Sequence, residues 1–312
     1  MMEQTPAAAF SCFLCPRRCG APRSPEEGHG RCGMPSLPVV ARAALHTGEE
    51  PCISGTRGSG TVFFSGCPLR CVYCQNAPIS HGRRGQTVTS ERLADIFREL
   101  CDQGAHNINL VSPTPYVHVI REALERWRPP VPVVYNTGGY ESVKTLRLLD
   151  GLVDVYLPDL KTVDPELSVR LLGADDYVEN ATAAILEMAR QTGPMTFDPD
   201  GIARRGTIVR HLLLPGHTRS SIDTLDWLRA HLPDGVYISL MFQYTPVVPD
   251  LPYPELLRRA TRRECEKVWD HLLSLGLENG YVQDRASAKR DFIPAFDLTG
   301  VQKASSHGKG AV

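Results

Sequence analysis

Three cysteines in the run Gly66-Cys67-Pro68-Leu69-Arg70-Cys71-Val72-Tyr73-Cys74 constrain this chain more than any other feature. They follow directly on the β-branched and aromatic stretch Thr61-Val62-Phe63-Phe64, which predicts a strand ending just before the first cysteine. Three thiolates on one loop ligate three irons of a cubane cluster and leave the fourth iron without a protein ligand, whereas an electron carrier closes all four. An open iron is a place for a cofactor or a substrate. The competing reading is a zinc knuckle that takes a fourth ligand such as His81, although structural zinc sites usually pair two short couples.

The chain holds ten cysteines in 312 residues, and seven fall into two groups: Cys12, Cys15, Cys19 and Cys32, then Cys67, Cys71 and Cys74. Cys52, Cys101 and Cys265 stand alone. A cytoplasmic location is expected, because Met1 to Phe10 lacks a basic start and long apolar stretch, and no apolar run approaches the ~18 residues that span a bilayer. The reducing cytosol then argues for metal or cluster ligation over disulfides. A net charge of −1 offers no basic surface for nucleic acid, so neither nucleic acid nor membrane is an expected partner. The N-terminal quartet has enough ligands to close a tetrahedral zinc site or a second [4Fe–4S] cluster, with zinc slightly favoured and Arg17 and Arg18 offsetting the charge of either. The ten histidines show no metal-ligand spacing as a set.

Residues 1–55 are rich in Cys, Pro, Gly and Arg without a sustained period, which predicts a small element organised by metal. From 56 to about 250 the text alternates short apolar runs with amphipathic helical patterns, the mark of repeated βα units on a parallel sheet. Strands are expected at 61–64, 108–111, 131–135, 153–157, 207–214 and 236–241, with helices between them. Six units fall short of the eight of a closed barrel, so the expected fold is α/β, a partial (βα)6 TIM-type barrel with a small Cys-rich N-terminal metal-binding element and its active face at the loops after the strands. A C-terminal helical extension occupies 251–303, and Ser, Gly, Lys and His in 304–312 predict a disordered tail.

The cysteine loop after strand one of a βα array, with the aromatic Tyr73 before its last cysteine, resembles the radical SAM superfamily. Over roughly residues 10 to 300 the chain is similar to the pyruvate formate-lyase activating enzyme-like branch. The matching text is Cys12-x2-Cys15-Pro16-Arg17-x-Cys19, Gly30-Arg31-Cys32-Gly33, Glu49-Glu50-Pro51-Cys52-Ile53-Ser54-Gly55, the cluster loop with Gln75-Asn76, and Asn107 to Pro115. The resemblance implies an enzyme whose [4Fe–4S] cluster, on Cys67, Cys71 and Cys74, holds S-adenosylmethionine (SAM) and cleaves it to a 5′-deoxyadenosyl radical for hydrogen abstraction. It also implies a reductant such as flavodoxin or ferredoxin, and a glycyl-radical-activator type of partner, a protein carrying a target glycine.

Several strand ends are implied by the same resemblance to hold SAM. Asn136 and Thr137 stand where the family places an Asp-Thr pair near the ribose and a cation, and the asparagine removes a charge from that pair. Asp159-Leu160-Lys161 matches the family's Asp-x-Lys. Arg210 resembles an arginine near SAM, and Gln243 lies where a ribose-binding histidine is often found. Ser112-Pro113-Thr114-Pro115 replaces the usual Gly-Gly-Glu; two prolines remove two donors, so recognition there falls to carbonyls and the hydroxyls of Ser112 or Thr114. No catalytic side chain is assigned beyond these. Two other classes compete: a non-catalytic zinc-binding interaction protein whose cysteine groups are structural, and an electron-transfer iron–sulfur protein, which the open three-cysteine site disfavours.

Overall fold

The computed structural model describes residues 9–283 and 294–302; the tail expected to be disordered lies outside them. One large sheet organises the described residues. Strand β1 (Val39–His46) runs antiparallel to β2 (Ser59–Phe64). From β2 the sheet continues in parallel through β3 (Ile108–Val111), β4 (Val133–Thr137), β5 (Val155–Pro158), β6 (Ala203–Leu212), β7 (Tyr237–Met241) and β8 (Gly280–Gln283). The six expected strands are all present in order, and β8 adds a seventh parallel one. The architecture is a partial TIM-type barrel with a Cys-rich N-terminal element. The segment expected to be a helical extension carries both a helix and this added strand, and 294–302 returns to the far edge, where Thr299 O accepts from Ala43 N at 2.8 Å.

Period two along the strands decides what faces in. Val134, Val155, Leu157 and Ile208 point into the barrel at its N-terminal end, where they pack on Cys52 and Ile53 of the short turn of helix Pro51–Ser54. Two residues further along their strands, Asn136, Asp159 and Arg210 point the same way at the C-terminal end. The interior thus changes from apolar to polar along its axis. Cys52 is a packing residue of the apolar end and takes no part in the N-terminal quartet.

Helices cover the outside. In α1 (Ser90–Asp102) Thr89 caps the first turn by accepting from Arg92 N, and Leu93, Ile96, Phe97 and Leu100 bury one face at helical spacing. Truncating Phe97 to Ala costs about 3–5 kcal/mol. Cys101 sits at the rim of the same cluster, half-buried. Next comes α2 (Val117–Arg126), entered through a tight turn at Thr114–Tyr116. Further round the barrel lie α3 (Val143–Leu146), α4 (Pro165–Leu172), α5 (Tyr177–Thr192) and α6 (Thr218–His231). In α7 (Arg262–Ser274), Thr261 and Glu264 cap the start reciprocally. Cys265 is buried in α7. No helix among the described residues is long and apolar enough to cross a membrane.

Candidate active site

At the polar end of the barrel lies a cavity of about 240 Å3. Cys67, Cys71 and Cys74 line one side of it, and Asn136, Thr137, Asp159, Lys161, Arg210 and Gln243 line the floor and the opposite wall, with Ser112 at the rim. All nine residues expected at a cluster-and-cofactor site on β2, β4, β5, β6 and β7, and Ser112 after β3, therefore face one space. Thr114 does not. Its hydroxyl donates to Glu141 Oε1, which also accepts from Thr137 Oγ1, so the turn after β3 presents Ser112 to this cavity and buries Thr114 on its other side. The positive φ of Ser112 (59°) produces that reversal.

The cysteine loop is shaped by its backbone. Gly66 has φ 88°, and a Cβ there would fall 2.1 Å from Met34 Cγ, so glycine is required on both counts. Cys74 N donates to Cys71 O at 3.1 Å, Val72 N donates to Leu171 O of α4 at 3.0 Å, and Cys74 Sγ lies 3.2 Å from Ser80 Oγ. Burial pushes the Cys67 thiol up to about 11, against donation from the Leu69 and Arg70 backbone, and burial raises Cys71 further. Buried thiols of this kind lose their protons to a metal and to little else. Three thiolates on one loop suit a cubane cluster, in which each binds a different iron. The donor set fits a cubane cluster. His81, the example of a fourth zinc ligand, does not line the cavity; its ring meets the Cys71 backbone instead.

The floor is a continuous charge network. Arg210 donates Nε to Asp159 Oδ1 at 2.9 Å, Nη1 to Glu49 Oε2 at 3.0 Å and Nη2 to Asn136 Oδ1 at 2.6 Å. Lys161 Nζ donates to Asp159 Oδ2 at 2.7 Å. Burial opposes the charge on Asp159, but Lys161 and Arg210 outweigh it and hold the carboxyl below the usual range. Burial likewise opposes the charge on Lys161, and Asp159 reverses the balance and keeps it cationic. Tyr177 holds the Lys161 turn by accepting from Lys161 N at 2.9 Å.

Three participants escaped the sequence reading. Glu49 accepts from Asn109 Nδ2 at 3.0 Å and from Asn136 Nδ2 at 3.2 Å as well as from Arg210. Its signal was the Glu49-Glu50-Pro51 text, but nothing in that run says that the carboxylate enters the barrel. Glu50, fully buried, is pushed up by desolvation against the pull of Arg210. Arg70 lines the cavity from the cysteine loop with φ 64°. His211 is a packing residue, bonded to Leu160 O and Ser221 Oγ, and His217 faces Glu255 outside the cavity. Tyr244 packs on the barrel mouth, its hydroxyl donating to Leu256 O at 2.7 Å.

The radical SAM superfamily model matches residues 61–228, more than half of the chain. An uncharacterised protein of Methanocaldococcus jannaschii is 30% identical over 267 residues, which cover 82% of this chain and 72% of that protein. Among solved structures, Streptococcus suis SuiB bound to S-adenosylmethionine shares the fold at a TM-score of 0.50 and 14% identity, over 70% of this chain and 48% of SuiB. SuiB bound to its precursor peptide SuiA aligns at a TM-score of 0.51 and 15% identity, over 70% of this chain and 47% of SuiB. This chain therefore spans about half the length of SuiB. With strand order, cysteine loop and family match in agreement, the chain belongs to the radical SAM superfamily, whose members act through a [4Fe–4S] cluster and S-adenosylmethionine.

Proposed function

We propose that Cys67, Cys71 and Cys74 hold the cluster and that the network of Asn136, Thr137, Asp159, Lys161 and Arg210, with Gln243 and Ser112, binds and orients SAM. The observation that carries this reading is that the three thiols and the charged floor line one cavity. When bound and reduced, the cluster supplies the electron that cleaves SAM and so starts hydrogen-atom abstraction. The chain's own residues do the rest. Lys161, kept cationic by Asp159, attracts an anionic or hydroxyl-rich ligand, and the interlocked Arg210, Glu49 and Asn136 cost little reorganisation when one arrives. Leu69, Tyr73, Met241 and Tyr244 wall the same space and exclude water from the reacting centre.

The finer reading is an activating-enzyme-like protein that receives its electron from a flavodoxin or ferredoxin and abstracts hydrogen from a glycine of a partner polypeptide. The N-terminal and cluster-loop text supports it, and SuiB supports it as the same fold accommodating a peptide. The division into a Cys-rich element (1–55), a core (56–250) and a C-terminal extension (251–303) belongs to this reading. Anaerobic reconstitution, followed by low-temperature EPR of the reduced protein and a 5′-deoxyadenosine assay, tests the coarser claim. A SAM-sensitive signal with 5′-deoxyadenosine formed, both lost in Cys71→Ala, is the expected result; a protein that takes up only zinc and leaves SAM intact sinks it. Deuterated glycine in the protein fraction of a lysate tests the finer claim: deuterium must appear in the 5′-deoxyadenosine, and label arriving only from small molecules overturns it.

A further inference from the structure

The N-terminal quartet is not used by the cavity just described, yet the fold brings it together. Cys12, Cys15, Cys19 and Cys32 line a second, small cavity against the barrel, closed by Pro68 and Pro115. They are free thiols. The element that carries them is made of turns: Phe10–Ser11 pairs with Pro22–Arg23, Arg18 N donates to Cys15 O at 3.1 Å, and Gly33 N donates to Gly30 O at 2.9 Å. A segment this short, with few buried apolar side chains of its own, needs a cross-link to repay its ordering.

A second observation calls for negative charge at this place. Arg23 is 1% exposed, and its hydrogen-bond partners are the carbonyls of Pro35 and Pro115 and the sulfur of Cys12, at 3.5 Å from Nη1. None of these is a carboxylate. A buried guanidinium is costly without a counter-charge, and a metal bound by four thiolates carries a net negative charge whether the metal is zinc or a cluster. Among the described residues no three of these side chains already form a metal-ion site, so binding would draw the thiols together.

The same element grips the back of the cluster loop. Pro68, which closes the small cavity, lies between Cys67 and Leu69, which line the large one. Arg17, between Cys15 and Cys19, donates Nε to Pro68 O at 3.0 Å and Nη2 to Gly173 O at 2.6 Å. Met34, two residues after Cys32, fills the space that a side chain at Gly66 would need, immediately before Cys67. We propose that Cys12, Cys15, Cys19 and Cys32 hold one tetrathiolate metal centre that braces the loop of Cys67, Cys71 and Cys74 from behind. The metal site stands independently of the function proposed above; only the bracing rests on it.

The test uses the full chain, isolated anaerobically from cells supplied with both zinc and iron, with metal and sulfide analysis of three forms. A Cys67→Ala/Cys71→Ala/Cys74→Ala variant is expected to retain roughly one zinc, or roughly four irons with as many sulfides, per chain. A variant that also carries Cys12→Ser/Cys15→Ser is expected to lose them. Zinc and iron are the two arms that identify the centre. A triple variant with no bound metal, or metal that survives the added serines, overturns the site, and neither result depends on whether the other cluster forms. For the bracing, Met34→Ala leaves all seven thiols in place. It is expected to keep the quartet's metal while broadening the reduced-cluster EPR signal and weakening its response to SAM. An unchanged signal and response with the quartet's metal retained overturns the bracing.

Discussion

The two cysteine groups differ in what holds them. Cys67, Cys71 and Cys74 hang from the end of a fully buried strand, with α4 bonded to their loop, so the barrel fixes their positions before any metal arrives. The quartet is suspended on turns, with two-residue strands and arginines that reach out to the barrel's carbonyls. On the proposals above, one site would be built by hydrophobic packing and then filled, and the other would supply part of its own packing through its ligand. Two cysteine clusters in one chain would then couple to folding in opposite senses.

The largest expected effect separates chemistry from fold. Cys71→Ala should reduce 5′-deoxyadenosine formation to background while thermal unfolding of the barrel stays within a few degrees of the parent, since one thiol contributes little to so large a core. A collapse of the melting transition would show that the loop cluster also holds the barrel together and would erase the contrast. Next in size is Arg210→Met. It leaves Glu49 and Asp159 facing each other and costs about 3–5 kcal/mol in denaturant unfolding, the range for breaking a buried pair. A loss below about 1 kcal/mol would mean that water solvates the floor and that the network is not preorganised.

Glu141 lies on the border between the two regions, bonded to Thr114 and Thr137, and burial raises it from 4.5 to about 7. A raised carboxyl binds its proton more tightly when folded, so its contribution is complete below pH 4.5 and is lost as pH rises through 7. Glu141→Gln should therefore match the parent at pH 4.5 and be more stable by about 3 kcal/mol above pH 8, read from urea midpoints across pH. A constant difference at every pH would show that its hydrogen bonds, and not its proton, govern the border. The smallest expected effect is at Ser112, whose left-handed backbone costs roughly 1 kcal/mol. Ser112→Gly should recover about that much stability, and a loss instead would mean that the hydroxyl is bonded more strongly than the strain it carries.

The parallel strands from 61 to 241 were legible because each is a short apolar run between turn signals, and with them came the site residues at their C-terminal ends. Asn136, Asp159, Lys161 and Arg210 are polar residues at the edge of otherwise apolar strands, a pattern that sequence carries openly. Gly280–Gln283 was not legible: four residues with one aliphatic side chain at a sheet edge give no period. Val39–His46 was hidden by its position inside a stretch dominated by Cys, Pro and Gly. Glu49 was missed for a topological reason. It stands between β1 and β2 in sequence and reaches Arg210 across a separation of 161 residues, which local patterns do not encode. Thr114 failed as a cofactor contact because the reversal at Ser112 depends on a φ value, not a residue type.

The apolar stopper formed by Cys52 and Ile53 has a consequence for traffic. Packed between Val134, Val155, Leu157 and Ile208, it plugs the N-terminal end of the barrel among the described residues, beneath the polar cavity. On the function proposed above, SAM and the hydrogen donor would then approach from the loop side, and a macromolecular substrate seated there would act as a cork. SAM would have to bind before such a substrate, and excess substrate would slow the reaction in competition with SAM.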